Sequence, residues 1–336
     1  MKKYDVIIVG AGLSGCILGF LFRKQNKKVL IIEKDDIIKK SKLCGGLLTE
    51  KSYELLKSIY GEEINLLKFI KFEKANIICN NKKTVINNVK FYTIFRKELD
   101  DFVLKEYLKL DGEVLGGSNY SSLDTNKKEL IVNAKKMQYE YLIGADGVFS
   151  KVRKDLTTKN QKMNFALESK KEERIFKELQ IHFFDKFKSY GWVIPNTKNV
   201  LIGLGNVIGK TSLETEYKCY LNQLNINIDN KRGAFLPTGD DIFIEFDKNI
   251  KFIGDAAGLI SPITGEGIYY AILSAVILSE DLKQYKINMK RIIKKIRLES
   301  FYKQFVYNYK IRNYIFDRSN KTLFKKIINK FARKVL

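Results

Sequence analysis

The chain has 336 residues, 45% of them hydrophobic, and carries 61 Lys and Arg against 38 Asp and Glu, a formal net charge of +23. That length builds one large domain or two interleaved ones around a real core. Cys16, Cys44, Cys79 and Cys219 have neither metal-ligand nor disulfide spacing, and a single histidine, His182, argues against a zinc site or a Ser-His-Asp triad, so His182 reads as structural.

Met1-Lys2-Lys3 followed by the uncharged run Val6–Phe22 superficially resembles a signal peptide or anchor. Glycines interrupt that run and a β-strand follows at once, so a cytoplasmic protein is expected, with room for a peripheral position at the inner face of the membrane. Tyr4–Val9 reads as a buried strand that turns through Gly10-Ala11-Gly12-Leu13-Ser14-Gly15 into a helix, and Lys28–Ile32 as a second strand ending in Glu33 and Lys34. Gly10 makes the tight turn, Gly12 lets backbone approach a pyrophosphate, and Gly15 lets helix pack closely on strand. Leu13 and Ser14 open the helix, whose positive end would hold the anion. Glu33 can accept hydrogen bonds from both hydroxyls of an adenosine ribose and would repel a 2′-phosphate, which favours FAD or NAD over NADP.

A polar loop containing Lys42-Leu43-Cys44-Gly45-Gly46 precedes a helix near Glu50–Ile59. Strands are expected around Phe69–Cys79, Thr84–Ile86 and Lys90–Phe95, a helix from Arg96 to about Leu110, and short strands near Glu113–Leu115, Leu130–Asn133 and Met137–Ile143, leading to Gly144-Ala145-Asp146-Gly147. A strand-rich region from Phe165 to Val207 and a helix over Leu213–Leu224 interrupt the nucleotide-binding pattern. It resumes with Ile250–Ile253, Gly254-Asp255, Pro262 and a long helix from Gly265 to about Leu282.

The expected fold is α/β (α+β overall): a Rossmann-like FAD-binding domain from residues 1–68, 91–158 and 242–284, a mostly antiparallel substrate-binding sheet from 69–90 and 159–241, and a basic helical segment over 285–336. The site should lie between the two domains. Asp255, just after a buried strand, can hold a ribityl hydroxyl or serve as a helix cap. A helix starting at Gly265-Glu266-Gly267-Ile268 presents free N–H groups and a positive end, suited to an anionic reduced flavin.

The last 56 residues hold 17 Lys and Arg against 3 Asp and Glu. Leu323, Phe324, Ile327, Ile328, Phe331 and Val335 share one helical face and the lysines take others. That pattern suits a helix in an anionic membrane interface, or equally a helix docked on the body with a solvated lysine face. No nucleic-acid motif is present, and only ten of the basic residues are arginine.

Two further motifs carry a resemblance. Tyr141–Arg153, with Asp146-Gly147 at its centre, resembles the second signature motif of the flavoprotein hydroxylase superfamily; Lys251–Gly258, with Pro262 and Gly265-Glu266-Gly267-Ile268, resembles the third. With the first they run in the order of a para-hydroxybenzoate-hydroxylase-like FAD fold. The finer resemblance is to the geranylgeranyl reductase family. Gly258 stands where aromatic hydroxylases usually carry His, and Cys44-Gly45-Gly46 looks like the reductases' Cys-Gly-Gly segment near the flavin. Tyr190-Gly191-Trp192-Val193-Ile194-Pro195 looks like their Tyr-x-Trp-x-Phe-Pro signature, with Ile194 replacing Phe. Flavin-dependent halogenases carry a similar Trp-x-Trp-x-Ile-Pro. Arg96 matches an arginine that begins a helix beside the cofactor in such enzymes.

The resemblance implies FAD as cofactor. It implies transient NAD(P)H or reduced ferredoxin, an acidic carrier steered to the basic surface, as electron donor. The implied reaction is reduction of C=C bonds in a hydrophobic isoprenoid or lipid substrate, with Tyr190, Cys44 or water supplying a proton and no metal. Phe183, Phe184, Phe187, Tyr190 and Trp192 would line an apolar slot, although Tyr190 and Trp192 could equally be core aromatics and Cys44 a small buried hydrophobe. The competing expectations are a monooxygenase or halogenase acting through a flavin hydroperoxide, and a membrane-associated flavoprotein with vestigial catalysis.

Overall fold

The structure, a computed structural model, describes residues 2–38, 42–79, 82–173, 175–184, 189–197, 199–206 and 213–317. Strand β1 (Lys2–Val9), helix α1 (Leu13–Lys24) and strand β2 (Val29–Ile32) form the opening unit. Val6–Val9 and all of β2 are buried on both faces, as parallel strands covered by helices must be. The register Val6↔Val29 to Val9↔Ile32 brings the Gly10 turn and Glu33 to the same end of the sheet.

Strand β3 (Leu47–Thr49) runs into α2 (Glu50–Tyr60), and β4 (Ile70–Cys79) pairs with β5 (Lys82–Thr93). A break between Thr84–Ile86 and Lys90–Phe95 was expected, but β5 runs through it. Asn88 absorbs the irregularity at φ 58°, a left-handed conformation that asparagine tolerates. Then come α3 (Arg96–Lys109), β6 (Glu113–Leu115), β7 (Tyr120–Asp124), β8 (Glu129–Val132), β9 (Lys135–Gly144) and α4 (Lys151–Leu156). Polar Ser121-Ser122 concealed β7 in the sequence; it is an edge strand, where water satisfies the outer backbone groups.

Strands β10 (Met163–Lys171), β11 (Gln180–Phe183), β12 (Ser189–Pro195) and β13 (Val200–Asn206) precede α5 (Leu213–Gln223) and β14 (Arg232–Pro237). Strand β15 (Ile250–Phe252) leads to α6 (Ile268–Glu280), and α7 (Tyr285–Asn288), α8 (Lys290–Val306) and α9 (Tyr309–Asp317) follow. The first sheet has the order β6-β2-β1-β9-β8-β7, with β15 parallel to the second half of β9. The second has the order β14-β10-β13-β12-β11-β4-β5-β3 and is antiparallel except at β11–β4. Strand β3 pairs with β5, so the segment before residue 69 also supplies a strand to the second sheet.

Alternation along β12, β13 and β10 gives the second sheet two distinct faces. Leu167, Val193, Ile202 and Leu204 pack under Tyr217, Tyr220 and Leu221 of α5. Ala166, Glu168, Tyr190, Trp192 and Ile194 point the other way, into a cavity. Helix α6 starts at Ile268 rather than Gly265, because Gly265 takes a left-handed φ of 70° that a helix does not admit.

The amphipathic stretch 323–335 lies outside the described residues. Before it, α8 and α9 expose Leu298, Phe301, Tyr302, Phe305, Tyr309 and Tyr314. Among the described residues no helix is long and apolar enough to cross a membrane.

Candidate active site

A cavity of about 1060 Å³ reaches from the Gly10 turn, between the sheets, to α8 and α9. Its size exceeds the usual range for one drug-sized ligand, roughly 300–1,000 Å³. At one end, a Cβ on Gly10 would collide with the Ala145 carbonyl, so only glycine lets β1 and β9 turn so close together. Gly12, by contrast, has no described residue within 4 Å of the place its Cβ would occupy. The first N–H groups of α1 have no side-chain cap and open into the cavity with Leu13 and Ser14, which is the arrangement that holds an anion.

The buried Glu33 carboxylate accepts from the Ala11 N–H at 2.8 Å and the Asp35 N–H at 3.1 Å, which fixes its orientation in the wall beside Lys34. Asp146 and Gly147 line the same region. Asp146 Oδ2 accepts from the N–H groups of Lys151 and Val152, while Oδ1 is buried with no hydrogen-bond partner among the described residues. Burial pushes the Asp146 carboxyl up.

Farther in, Asp255 lies at the wall and Lys42 Nζ pairs with its Oδ2 at 2.6 Å. Arg96 is buried and ion-paired with Asp100 at 2.9 Å. Burial opposes its charge, but Asp100 and the adjacent Cys44 outweigh that and raise its pKa. Cys44 and Gly45 line the cavity next to Arg96, and Gly267 and Ile268 open α6 into it without a side-chain cap. Gly265 also lines it, yet its N–H donates to Ser261 O at 2.9 Å and that of Glu266 to Thr264 Oγ1, so the free donors begin at Gly267.

Three residues expected at the cofactor do not line the cavity. Gly15 is a packing glycine: a Cβ there would collide with Gly10 O. Gly254, at φ 55°, lies against Ser14, and Pro262 packs on Gly239. Of the expected slot aromatics, Phe183, Tyr190 and Trp192 line the cavity. Phe184 is in the core under α5 with Tyr220, because adjacent residues of an extended chain face opposite ways. Phe187 lies outside the described residues. His182 is buried beside Tyr220, and burial lowers its pKa to about 4, so it is neutral at physiological pH.

The sheet register shapes the inner wall. Trp192 on β12 pairs with Gly203 on β13, and Gly203 with Glu168 on β10. A Cβ on Gly203 would fall inside the indole, and one on Gly205 would stand 3.3 Å from it. With no side chain on the middle strand, the Trp192 ring lies flat across it. Its Nε1–H then reaches Glu168 Oε2 at 3.1 Å, two strands away. Glu168 is 4% exposed, and burial pushes its carboxyl up to about 7 against the opposing pull of the indole N–H and Arg232. Sequence reasoning missed Glu168; the available signal was a lone acid at an inward position of the apolar strand Phe165-Ala166-Leu167-Glu168.

The Tyr190 hydroxyl donates to Thr264 O at 2.7 Å, and burial holds its pKa above the usual phenol range. Glu266 accepts from the hydroxyls of Thr49 at 2.8 Å and Ser52 at 3.1 Å, with its carboxyl also pushed up by burial. Arg312 of α9 closes the far end, donating to Phe184 O at 2.6 Å with its guanidinium over the Phe183 ring.

Residues 8–38 match the family model described as an NAD(P)-binding Rossmann-like domain. The chain is 27% identical to digeranylgeranylglycerophospholipid reductase of Methanococcus vannielii, over 97% of this chain and 88% of that one. It is 26% identical to geranylgeranyl diphosphate reductase of Rhodobacter capsulatus, over 80% and 72%. Among solved structures it resembles PqsL of Pseudomonas aeruginosa, described as a "probable FAD-dependent monooxygenase", with TM-score 0.76, 14% identity, and coverage of 94% of this chain and 100% of that one. The chain thus has the fold of FAD-dependent oxidoreductases, and its sequence relatives include enzymes named for isoprenoid reduction.

Proposed function

We propose that the chain is an FAD-dependent reductase of carbon–carbon double bonds in a hydrophobic isoprenoid or lipid substrate. The observation that carries this reading is the continuity of one cavity from the bare backbone at Gly12 to the flat aromatic wall of Trp192 over Gly203. The residues at the first end fit the cofactor. The open space over Gly12 and the uncapped start of α1 suit a pyrophosphate, Glu33 suits a ribose, and the uncapped start of α6 suits the electron-rich edge of an isoalloxazine. Bound there, reduced FAD would supply two electrons and one hydrogen to the double bond.

An isolated alkene offers no polar handle, so the protein's contribution is to orient it and keep water out. Tyr190, Trp192, Ile194 and Phe183 form the surface that does so. Asp255 and Arg96 are proposed to hold the flavin half. Cys44 stands at the junction of the two halves. NAD(P)H or a reduced acidic carrier would recharge the cofactor.

The expected result is anaerobic saturation of a geranylgeranyl lipid by the yellow protein with dithionite, NADPH or reduced ferredoxin, read by mass spectrometry as a gain of two hydrogens per double bond. The similarity to PqsL supports a monooxygenase as second reading. Substrate-stimulated oxygen uptake with incorporation of oxygen, and no anaerobic product, would establish that reading instead.

A lipid substrate also gives the exposed aromatics of α8 and α9 a use. Tyr302, Phe305 and Ile311 line the cavity and are themselves 38–48% exposed, so they form its mouth. Lys290, Arg291, Lys294 and Arg297 on α8 would meet anionic headgroups there. The basic stretch after Asp317 is proposed to add to this contact: a chain ending at Asp317 should bind anionic vesicles several-fold more weakly in flotation assays than the full chain, and equal binding would confine the membrane contact to α8 and α9.

A further inference from the structure

We infer that Glu168 is the general acid of this site, delivering its proton to the alkene carbon that does not receive hydrogen from the reduced cofactor. This rests on the reductase reading above and extends it to a named proton source. In the balanced step, one carbon takes two electrons and one hydrogen from reduced FAD, and the other takes the carboxyl proton of Glu168. The C=C π bond, the Glu168 O–H bond and the bond that held the transferred hydrogen in the reduced cofactor are broken, and two C–H bonds form. FAD is left oxidised and Glu168 ionised, to be reprotonated from solvent.

The geometry favours Glu168 over the other candidates. The Tyr190 hydroxyl already donates to Thr264 O, and its loss of a proton is opposed by burial. The Cys44 thiol lies beside the Arg96–Asp100 pair. Glu168 instead lies in the cavity wall between Gly45 and Trp192: a Cβ on Gly45 would stand 3.6 Å from Glu168 Oε2 and 3.7 Å from Trp192 Nε1. The indole holds one carboxyl oxygen by donation, which leaves the other to carry the proton. Its inward neighbours are Gly203 on β13 and Ala166 on its own strand, so nothing apolar in the wall requires a carboxyl at this place, and an acid buried without need costs stability.

Among the described residues, the charged and titratable groups around it are Arg232 on β14 and Tyr217 on α5 behind the sheet, and Cys44 lines the same cavity. Glu168 is neutral below about pH 7, which matches the acid to its working pH.

Trp192 is the only tryptophan in the chain, so its emission, excited at the red edge where tyrosines do not absorb, reports the carboxyl to which it donates. In the full FAD-loaded chain, emission should titrate with a midpoint near 7, and Glu168→Gln, whose amide oxygen still accepts from the indole, should abolish that titration without altering the near-UV circular dichroism. With a geranylgeranyl lipid at pH 6, the same variant should lose about 10²-fold or more in kcat while the flavin is reduced by its donor at the wild-type rate. Glu168→Asp, which keeps the acid but withdraws it, should lose less.

An emission profile flat from pH 5 to 9, or undiminished turnover in Glu168→Gln, overturns the assignment and leaves the reductase reading standing. A wild type that saturates no alkene with any donor overturns the reductase reading. The role of Glu168 as alkene protonator then falls with it, even if the emission still titrates.

Discussion

Gly12→Ala should leave the protein folded and strip it of FAD. Gly12 has a φ of −78°, which alanine adopts without strain, and the space its Cβ would enter is empty of described residues to 4 Å. The stability of the cofactor-free chain should therefore change by less than about 1 kcal/mol, with the smaller entropy of the unfolded chain pushing it upward. The added methyl projects into the volume assigned to the pyrophosphate. Overpacking there costs about 1–3 kcal/mol, roughly one to two powers of ten in affinity, before the loss of any N–H contact.

Gly15→Ala is the contrasting variant. Its Cβ would collide with the Gly10 carbonyl, a backbone atom that cannot rotate away, so α1 must lift from β1. The chain should lose several kcal/mol of stability and its cofactor together. The pair is read by flavin absorbance after gel filtration and by urea unfolding. A Gly12→Ala protein that keeps FAD at wild-type affinity would show that the nucleotide does not lie over the start of α1.

The difference between these two glycines shows what a sequence can and cannot carry. Their spacing within one motif announces a nucleotide cradle, because turn, approach and packing each need glycine at one fixed offset. The same offsets assign Gly12 to the approach and Gly15 to the packing; that a Cβ at Gly15 meets the Gly10 carbonyl while one at Gly12 meets no described residue within 4 Å is visible only in the folded structure. The alternation Tyr190, Trp192, Ile194 was likewise legible, since period two is local. Placing both Phe183 and Phe184 in one slot contradicted that same rule, and the structure separates them to opposite faces.

The partnership of Trp192 with Glu168 could not be read. It depends on the register of β10, β13 and β12, on which strands 168, 203 and 192 meet, and on Gly203 having no side chain. The start of α6 was placed three residues early for a smaller reason: Gly265-Glu266-Gly267 satisfies a helix-start pattern, and only the backbone conformation of Gly265 denies it.

Glu168→Gln should also become the more stable protein as pH rises. In the folded chain the Glu168 carboxyl titrates near 7, against an ordinary value of 4.5, so the folded state holds this proton more tightly than the unfolded state does. The stability linked to that proton is fully present below about pH 4.5 and is lost as pH rises through 7. Above that, folding must bury a carboxylate at 4% exposure, a penalty of about 3 kcal/mol from the separation of the two pKa values. Glutamine has nearly the same shape, keeps an oxygen for the Trp192 N–H and never ionises.

Asp146 and Glu266 are raised by burial too, and His182 is lowered by it, so the wild-type profile alone mixes several groups. The difference between wild type and Glu168→Gln isolates one. By urea unfolding of the full chain in matched cofactor states, that difference should be small at pH 4.5, open between pH 5 and 7, and level off near 3 kcal/mol in favour of glutamine. A difference that stays constant with pH would mean that the carboxyl is solvated in the folded protein. The wall that Trp192 lays across Gly203 would then admit water, and a site that admits water to its acid has no means of holding an alkene dry beside it.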